Sequence, residues 1–338
     1  MDRQRQPLDV AVIATETTGT AGAVSIVDIL AAVGQAWETL HGETRLPLFA
    51  PRLVTVDGAA IRGPGGLLVE PHGSFATLPR PDVAIIPDLR LDRTVPVPPG
   101  FGPVLDYLRA VHAAGGVVAS TCSGSVVLAA SGLLDGEVAT THWGYRDMIA
   151  RFYPRVRLQI ERVLVPAGDG HRLITAGGAS SWHDLLLYLV ARFGGPDQAR
   201  RVAKVFLLQS HAQGQLPFAG LTALRQHEDE AIRSAQLWIA DHYREVNPVA
   251  AMAAALQLSE RGFSGRFRRA TGLTPLAYVQ TVRIEEAKQL LETTTMPVDE
   301  IAAEVGYSEP AGFRRLFRRM VGVTPSAYRR QSLALTWV

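Results

Sequence analysis

Cysteine is almost absent from this chain: Cys122 is the only one in 338 residues. A disulfide within the chain is therefore excluded, and the count suits a reducing cytoplasm. Lysine is nearly absent too, occurring at Lys204 and Lys288 only, so arginine carries the basic charge. The net charge of +2 says nothing about nucleic acid by itself; the placement of the arginines decides that question. No segment approaches about eighteen consecutive apolar residues, the length a membrane-spanning helix needs. The apolar run within MDRQRQPLDVAVIATETTG is too short for a signal peptide. The nine histidines show no HxH or HExxH spacing, so no metal site is indicated. RGPGGLL (62–68) is glycine-rich but lacks the strand–GxGxxG–helix context of a dinucleotide site. The expectation is a soluble cytoplasmic protein with no cofactor, no metal and no membrane partner.

What is present is 47% hydrophobic and 20% charged, an ordinary globular composition. The length predicts more than one core. From Asp9 to about Phe206, short apolar runs alternate with helical periodicity. DVAVIAT, RLVTVDG, DVAIIPDL, GVVAST and HRLITAG are strand candidates bounded by Gly, Pro and Asp. FGPVLDYLRAVHAAGG, HWGYRDMIARFYP and SSWHDLLLYLVARFGG have the apolar spacing of helices. Val- and Ile-rich strands without polar alternation imply a sheet covered on both faces, and the alternation predicts a doubly wound α/β domain over 1–211. Gly, Gln and Pro interrupt the pattern near QGQLPFAG, which places a linker at 212–227. From 228 to 338 the periodicity is helical throughout.

That last portion contains an internal repeat. Ala253 and Ser259 recur as Ala302 and Ser308, and Phe263, Phe267, Arg268, Arg269, Gly272, Thr274, Pro275 and Tyr278 recur fifty residues later. One residue is inserted near 309–312. Each copy reads as a short helix, a turn and a second helix, over about 246–272 and 295–322. Ser259 and Ser308 are positioned to cap the second helices. Phe263 with Phe267, and Phe313 with Phe317, lie four apart and share an inward face. The arginines among them must face outward, where a guanidinium fork suits phosphate or guanine. Two helix-turn-helix units on one chain imply double-stranded DNA as a partner. An amphipathic bundle with a merely solvated arginine face would not explain two matched copies.

MPVDEIAAEVGYSEPAGFRRLFRRMVGVTPSAYRR closely resembles the AraC/XylS helix-turn-helix signature, and VAAMAAALQLSERGFSGRFRRATGLTPLAYV resembles its first half. The resemblance, over about 229–331, implies a bacterial sequence-specific transcription regulator. It maps base-facing positions to Arg261, Ser264 and Gly265 in the first reading helix. In the second they are Pro310, Ala311, Gly312, Arg314 and Arg315. Arg268 and Arg318 join the set as outward arginines. Gly265 stands where relatives often carry arginine, and each mid-helix glycine costs roughly 1 kcal/mol of helix stability.

In VVASTCSGSVVLAA a buried strand meets a turn at Cys122 and a helix leaves it. Backbone amides and a helix dipole there can lower a thiol pKa. STCSGSVVLAASGLLDGEVATTHW (120–143) resembles the DJ-1/PfpI superfamily and, more narrowly, the GlxA-like regulators that join such a domain to an AraC-type reader. The resemblance spans roughly 8–210. It implies a class I glutamine amidotransferase-like fold, an effector-sensing role and dimerisation. The histidine that follows the cysteine in the peptidase-like branch is Ser123 here, and the glutamate of the DJ-1-like branch maps to Gly22. No catalytic residue is therefore assigned. Cys122, Ser123, His142 and Trp143 are the candidate lining residues of a pocket for a small metabolite, with a nitrogen-containing effector implied by the resemblance. The alternative is a cysteine-dependent hydratase or amidohydrolase carrying a DNA-binding tail.

Overall fold

The computed structural model describes residues 6–209, His211, Gln215 and residues 229–333. The chain divides into two compact units, Met1–Gln215 and Leu216–Val338. The linker expected over 212–227 lies, apart from Gln215, outside the described residues.

In the first unit the elements run β1 (Leu8–Ile13), α1 (Thr20–Ala32), α2 (Ala36–His41) and β2 (Phe49–Thr55). A small hairpin, β3 (Ile61–Arg62) and β4 (Leu68–Val69), precedes β5 (Gly73–Ser74) and β6 (Val83–Ile86). Then come α3 (Gly102–Ala113), β7 (Val117–Thr121), α4 (Gly124–Ala130), β8 (Val138–Ala139), α5 (Arg146–Phe152) and β9 (Arg157–Leu158). The unit closes with β10 (Leu164–Ala167), β11 (Leu173–Ala176) and α6 (Trp182–Phe206). The main sheet has the order β10-β11-β7-β6-β1-β2-β5, and every pair is parallel except β10 with β11. The five strands read from sequence are the five central ones.

The sheet is covered on both faces, as continuous Val and Ile runs require. Ala11 and Ile13 of β1 face a core formed with α3 and α4, whereas Val10 and Val12 face one formed with α1 and α6. The antiparallel strand β10 was not anticipated. Its sequence LVPA contains Pro166, which cannot donate to a ladder and is tolerated here because β10 is an edge strand. Helix α6 breaks at Gly195 (φ 84), just before Pro196, so the helix read in SSWHDLLLYLVARFGG continues beyond GG after a kink.

The second unit is helical: α7 (Glu230–His242), α8 (Pro248–Ala255), α9 (Glu260–Thr271), α10 (Pro275–Thr293), α11 (Val298–Glu304), α12 (Pro310–Val321) and α13 (Pro325–Leu333). Its core contains Phe263, Phe267, Tyr278, Phe313, Phe317 and Tyr328. Helix α10, with 19 residues, is about 28 Å long at 1.5 Å per residue and separates the two repeats. Among the described residues no helix is long and apolar enough to cross a membrane.

Candidate DNA interface and effector pocket

The repeat in sequence is a repeat in packing. Phe263 and Phe267 are fully buried, and their rings lie 5.5 Å apart, with Phe267 a further 5.4 Å from Tyr278. Phe313 and Phe317 repeat this at 5.7 Å, with Tyr328 another 5.7 Å from Phe317. Both reading helices stop at a left-handed glycine, Gly272 (φ 76) and Gly322 (φ 86), whose amides donate to Arg268 O and Arg318 O. Ser259 Oγ accepts a hydrogen bond from Gly262 N at 3.2 Å and caps α9 as expected. Ser308 does not cap α12, and that expectation is corrected. The residue flanking α12 is Glu309, and its side chain makes no capping bond. The inserted residue places Ser308 five positions before Phe313, whereas Ser259 is four before Phe263. Ser308 therefore sits one residue too early, and Pro310 at the helix start has no N–H to cap.

None of the expected DNA-facing residues is buried. Arg261, Arg268, Ala311, Arg314, Arg315 and Arg318 are exposed, and Ser264, Gly265, Pro310 and Gly312 are half-exposed. The two arginines at 314 and 315 part company. Arg314 forms an ion pair with Asp299 at the start of α11. Arg315 instead lines a groove of about 890 Å³ that it shares with Arg319, Arg283, Arg244 and the carboxylate Glu309, and Arg244 is itself paired with Glu304 at 2.9 Å. Sequence reasoning missed Arg244, Arg283 and Arg319 as members of this basic groove. Arg319 was visible as a repeated residue, but the other two come from α10 and the end of α7. Arg283 donates to Tyr243 O (2.6 Å) and Glu245 O (2.7 Å) and lies over the Tyr307 ring. Gly306 (φ 87), in the turn of the second repeat, permits the close approach: a Cβ there would lie 2.8 Å from Arg244 O.

In the first unit, β7 ends at Thr121, Cys122 follows with φ 54, and α4 begins two residues after it. A left-handed cysteine is strained backbone, held here because the cysteine amide donates to Ala176 O at 2.9 Å. Gly124 is required for the turn, since a Cβ would lie 2.4 Å from both Ile86 O and Pro87 O. Cys122 is 6% exposed. Burial, reinforced by the nearby Asp88 carboxylate, pushes its pKa up to about 12 despite the opposing Ser123 amide and hydroxyl. The expected lowering by amides and helix dipole is thus outweighed by desolvation.

Ser123 is also corrected. It is 1% exposed, and its hydroxyl donates to Leu89 O and accepts from Leu89 N, both at 2.6 Å. It fastens the loop after β6 and does not line a pocket. His142 and Trp143 are half-exposed, with ring centroids 4.8 Å apart. His142 Nδ1 accepts from Gly144 N at 3.0 Å, which leaves its proton on Nε2. Burial and the neighbouring Arg93 lower its pKa. Among the described residues no hydrogen bond joins His142 to the thiol.

Asp88 was missed by sequence reasoning. The position that the resemblance gives to an acid is Gly22 here, yet the Asp88 carboxylate reaches towards it from the loop after β6. A Cβ on Gly22 would lie 3.0 Å from Asp88 Oδ1 and 3.7 Å from Trp182 Cδ1. Burial raises the Asp88 pKa. The only signal in the sequence was an Asp two residues past the end of a buried strand, in IIPDL.

The class defined by these parts is a transcriptional regulator: a doubly wound α/β unit joined to a double helix-turn-helix that binds DNA. The DJ-1/PfpI family matches residues 49–192, and a helix-turn-helix domain family matches residues 252–331. The chain is 30% identical over 227 residues to the HTH-type transcriptional regulator GlxA of Rhizobium meliloti (strain 1021), covering 67% of this chain and 68% of that protein. It is 27% identical over 289 residues to the HTH-type transcriptional regulator CdhR of Pseudomonas aeruginosa, covering 82% and 81%. A third similarity, 32% over 163 residues, is to an isonitrile hydratase of Pseudomonas putida and covers 46% of this chain and 65% of the other. The chain belongs to the GlxA-like regulators, in which a DJ-1/PfpI domain precedes an AraC-type helix-turn-helix.

Proposed function

We propose that this regulator reads DNA through α9 and α12 and is controlled, without turnover, by a small nitrogen-bearing metabolite held at the elbow. The contacts on α9 would be Arg261, Ser264, Gly265 and Arg268. Those on α12 would be Pro310, Ala311, Gly312, Arg314, Arg315 and Arg318, with Arg319 beside Arg315 in the basic groove. The observation that carries the regulator reading is the matched pair of aromatic-backed helices with outward arginines. The sensing reading is supported by the state of Cys122: its thiol is buried and held protonated, and among the described residues no base is hydrogen-bonded to it. Cys122, His142 and Trp143 would line the effector site, Trp143 offering an aromatic face to a cationic nitrogen. A homodimer would match paired half-sites; sedimentation of the full chain as a monomer at micromolar concentration overturns it.

The experiment is selection of genomic DNA fragments by the purified full-length protein at physiological salt, followed by sequencing. A few enriched sites sharing a motif are expected. A folded protein that enriches none, with or without a pool of amine metabolites, overturns the reading. A second reading, a cysteine-dependent hydratase or amidohydrolase, is favoured by the strained φ of Cys122 and the likeness to a hydratase. Cys122→Ala separates the two. Loss of a chemical activity with DNA binding intact supports the enzyme; a retained effector response supports the sensor.

A further inference from the structure

The first unit ends at Gln215, and that side chain is among its deeply buried polar groups, at 3% exposed. Its Oε1 accepts from Trp143 N at 3.1 Å. Its Nε2 donates to Thr141 O at 2.7 Å and reaches Thr140 Oγ1 at 3.2 Å and Arg162 O at 3.4 Å. Gly177, just past β11, makes room for it: a Cβ there would lie 2.7 Å from Nε2. Thr141 in turn donates its hydroxyl to Cys122 O at 2.9 Å. Two successive hydrogen bonds therefore run from the last residue of the unit to the backbone of the elbow. The segment they pass through carries His142 and Trp143. Four residues earlier, His211 is tied down as well, its amide and Nδ1 lying 2.8 and 2.7 Å from the carboxylate of Asp184 in the first turn of α6.

We propose that Gln215 is a latch that couples occupancy of the elbow pocket to the chain leading into the DNA-binding unit. This rests on the reading that the pocket takes an effector. A buried amide has no water to fall back on, so it is either fully seated among its partners or withdrawn from them. An effector that contacts His142 or Trp143 differently in those two states shifts the balance between them. By reciprocity, loosening Gln215 must alter both the pocket and whatever the latch controls.

The test compares full-length wild type, Gln215→Ala and Gln209→Ala, the last removing an exposed glutamine as control. Two quantities are read: the rate at which DTNB labels Cys122, and affinity for a DNA fragment enriched by the wild type. Because the chain has a single cysteine, labelling reports the elbow alone. Gln215→Ala should label about tenfold faster or more, since local opening governs access to a buried thiol. It should also change DNA affinity by about threefold or more in either direction. Gln209→Ala should match wild type in both. Unchanged labelling overturns the latch; faster labelling with DNA affinity within about twofold of wild type reduces Gln215 to loop packing and overturns it equally. Where circular dichroism shows the alanine variant unfolded, Gln215→Asn, which keeps the amide but shortens its reach, gives the same two readings. A wild type that enriches no DNA overturns the regulator reading itself, before any variant is compared, and takes the latch with it.

Discussion

Cys122 shows how one residue's surroundings override its position. A cysteine at the start of a helix reads as an activated nucleophile, because amides and dipole favour the thiolate. Here the thiol is buried beside the Asp88 carboxylate, and both effects favour the neutral form. The expected outcome is a labelling rate that keeps rising tenfold per pH unit to pH ~10, with none of the levelling near pH ~8.5 of a free thiol; a plateau at or below neutrality in a stopped-flow DTNB series would contradict it. The linkage has a definite sign. The fold binds the thiol proton more tightly than the unfolded chain does, so this contribution to stability is complete below the ordinary thiol pKa and is lost as pH climbs above it. Asp88 itself was not recoverable from sequence. It reaches the space over Gly22 from the loop after β6, and the pairing of β6 with β1 brings that loop beside the start of α1.

Among the elements, the two reading helices offer an internal control. Ser259 caps α9 and Ser308 does not cap α12, although the repeat aligns them. Ser259→Ala should therefore destabilise the helical unit by about 1 kcal/mol. Ser308→Ala should stay within about 0.5 kcal/mol of wild type, and equal losses in urea denaturation would return Ser308 to the role the sequence suggested. The arginines of α12 divide in a similar way. Arg315 faces the basic groove and Arg314 is paired with Asp299. Arg315→Ala should cost about 1–3 kcal/mol on an enriched site and relax preference at one base position if it reads a base. An equal loss on all DNA, with a salt slope reduced by about 1, would place it on phosphate instead. Arg314→Ala should cost less, because its charge is already partly spoken for by Asp299. The Ser259 cap and the aromatic spacing of both helices were legible, since they act over three or four residues of contiguous chain; the Ser308 cap was misread because one inserted residue shifts the start of α12.

For the molecule as a whole, each unit has its own core: the aromatic cluster of the helical unit contains no residue from Met1–Gln215. Two unfolding transitions are expected in calorimetry of the full chain. Phe317→Ala, which empties a fully buried ring position, should destabilise the helical unit by about 3–5 kcal/mol and leave the other transition in place. A shift of both transitions together would show that the cores unfold as one. The sequence alone determined the doubly wound class, the five central strands, the duplicated helix-turn-helix and the elbow at Cys122. Each is written in local periodicity, in turn residues or in a repeat, which contiguous residues encode. The tertiary structure decided the rest. It brought Asp88 over Gly22, tied Ser123 to Leu89, gathered Arg244, Arg283, Arg315 and Arg319 around one groove, and seated Gln215 against residues 140–143. Apart from Arg315 and Arg319, which share α12, these partners lie 34 to 75 residues apart or on different helices, and no periodicity records which side chains a sheet order or a helix crossing brings together.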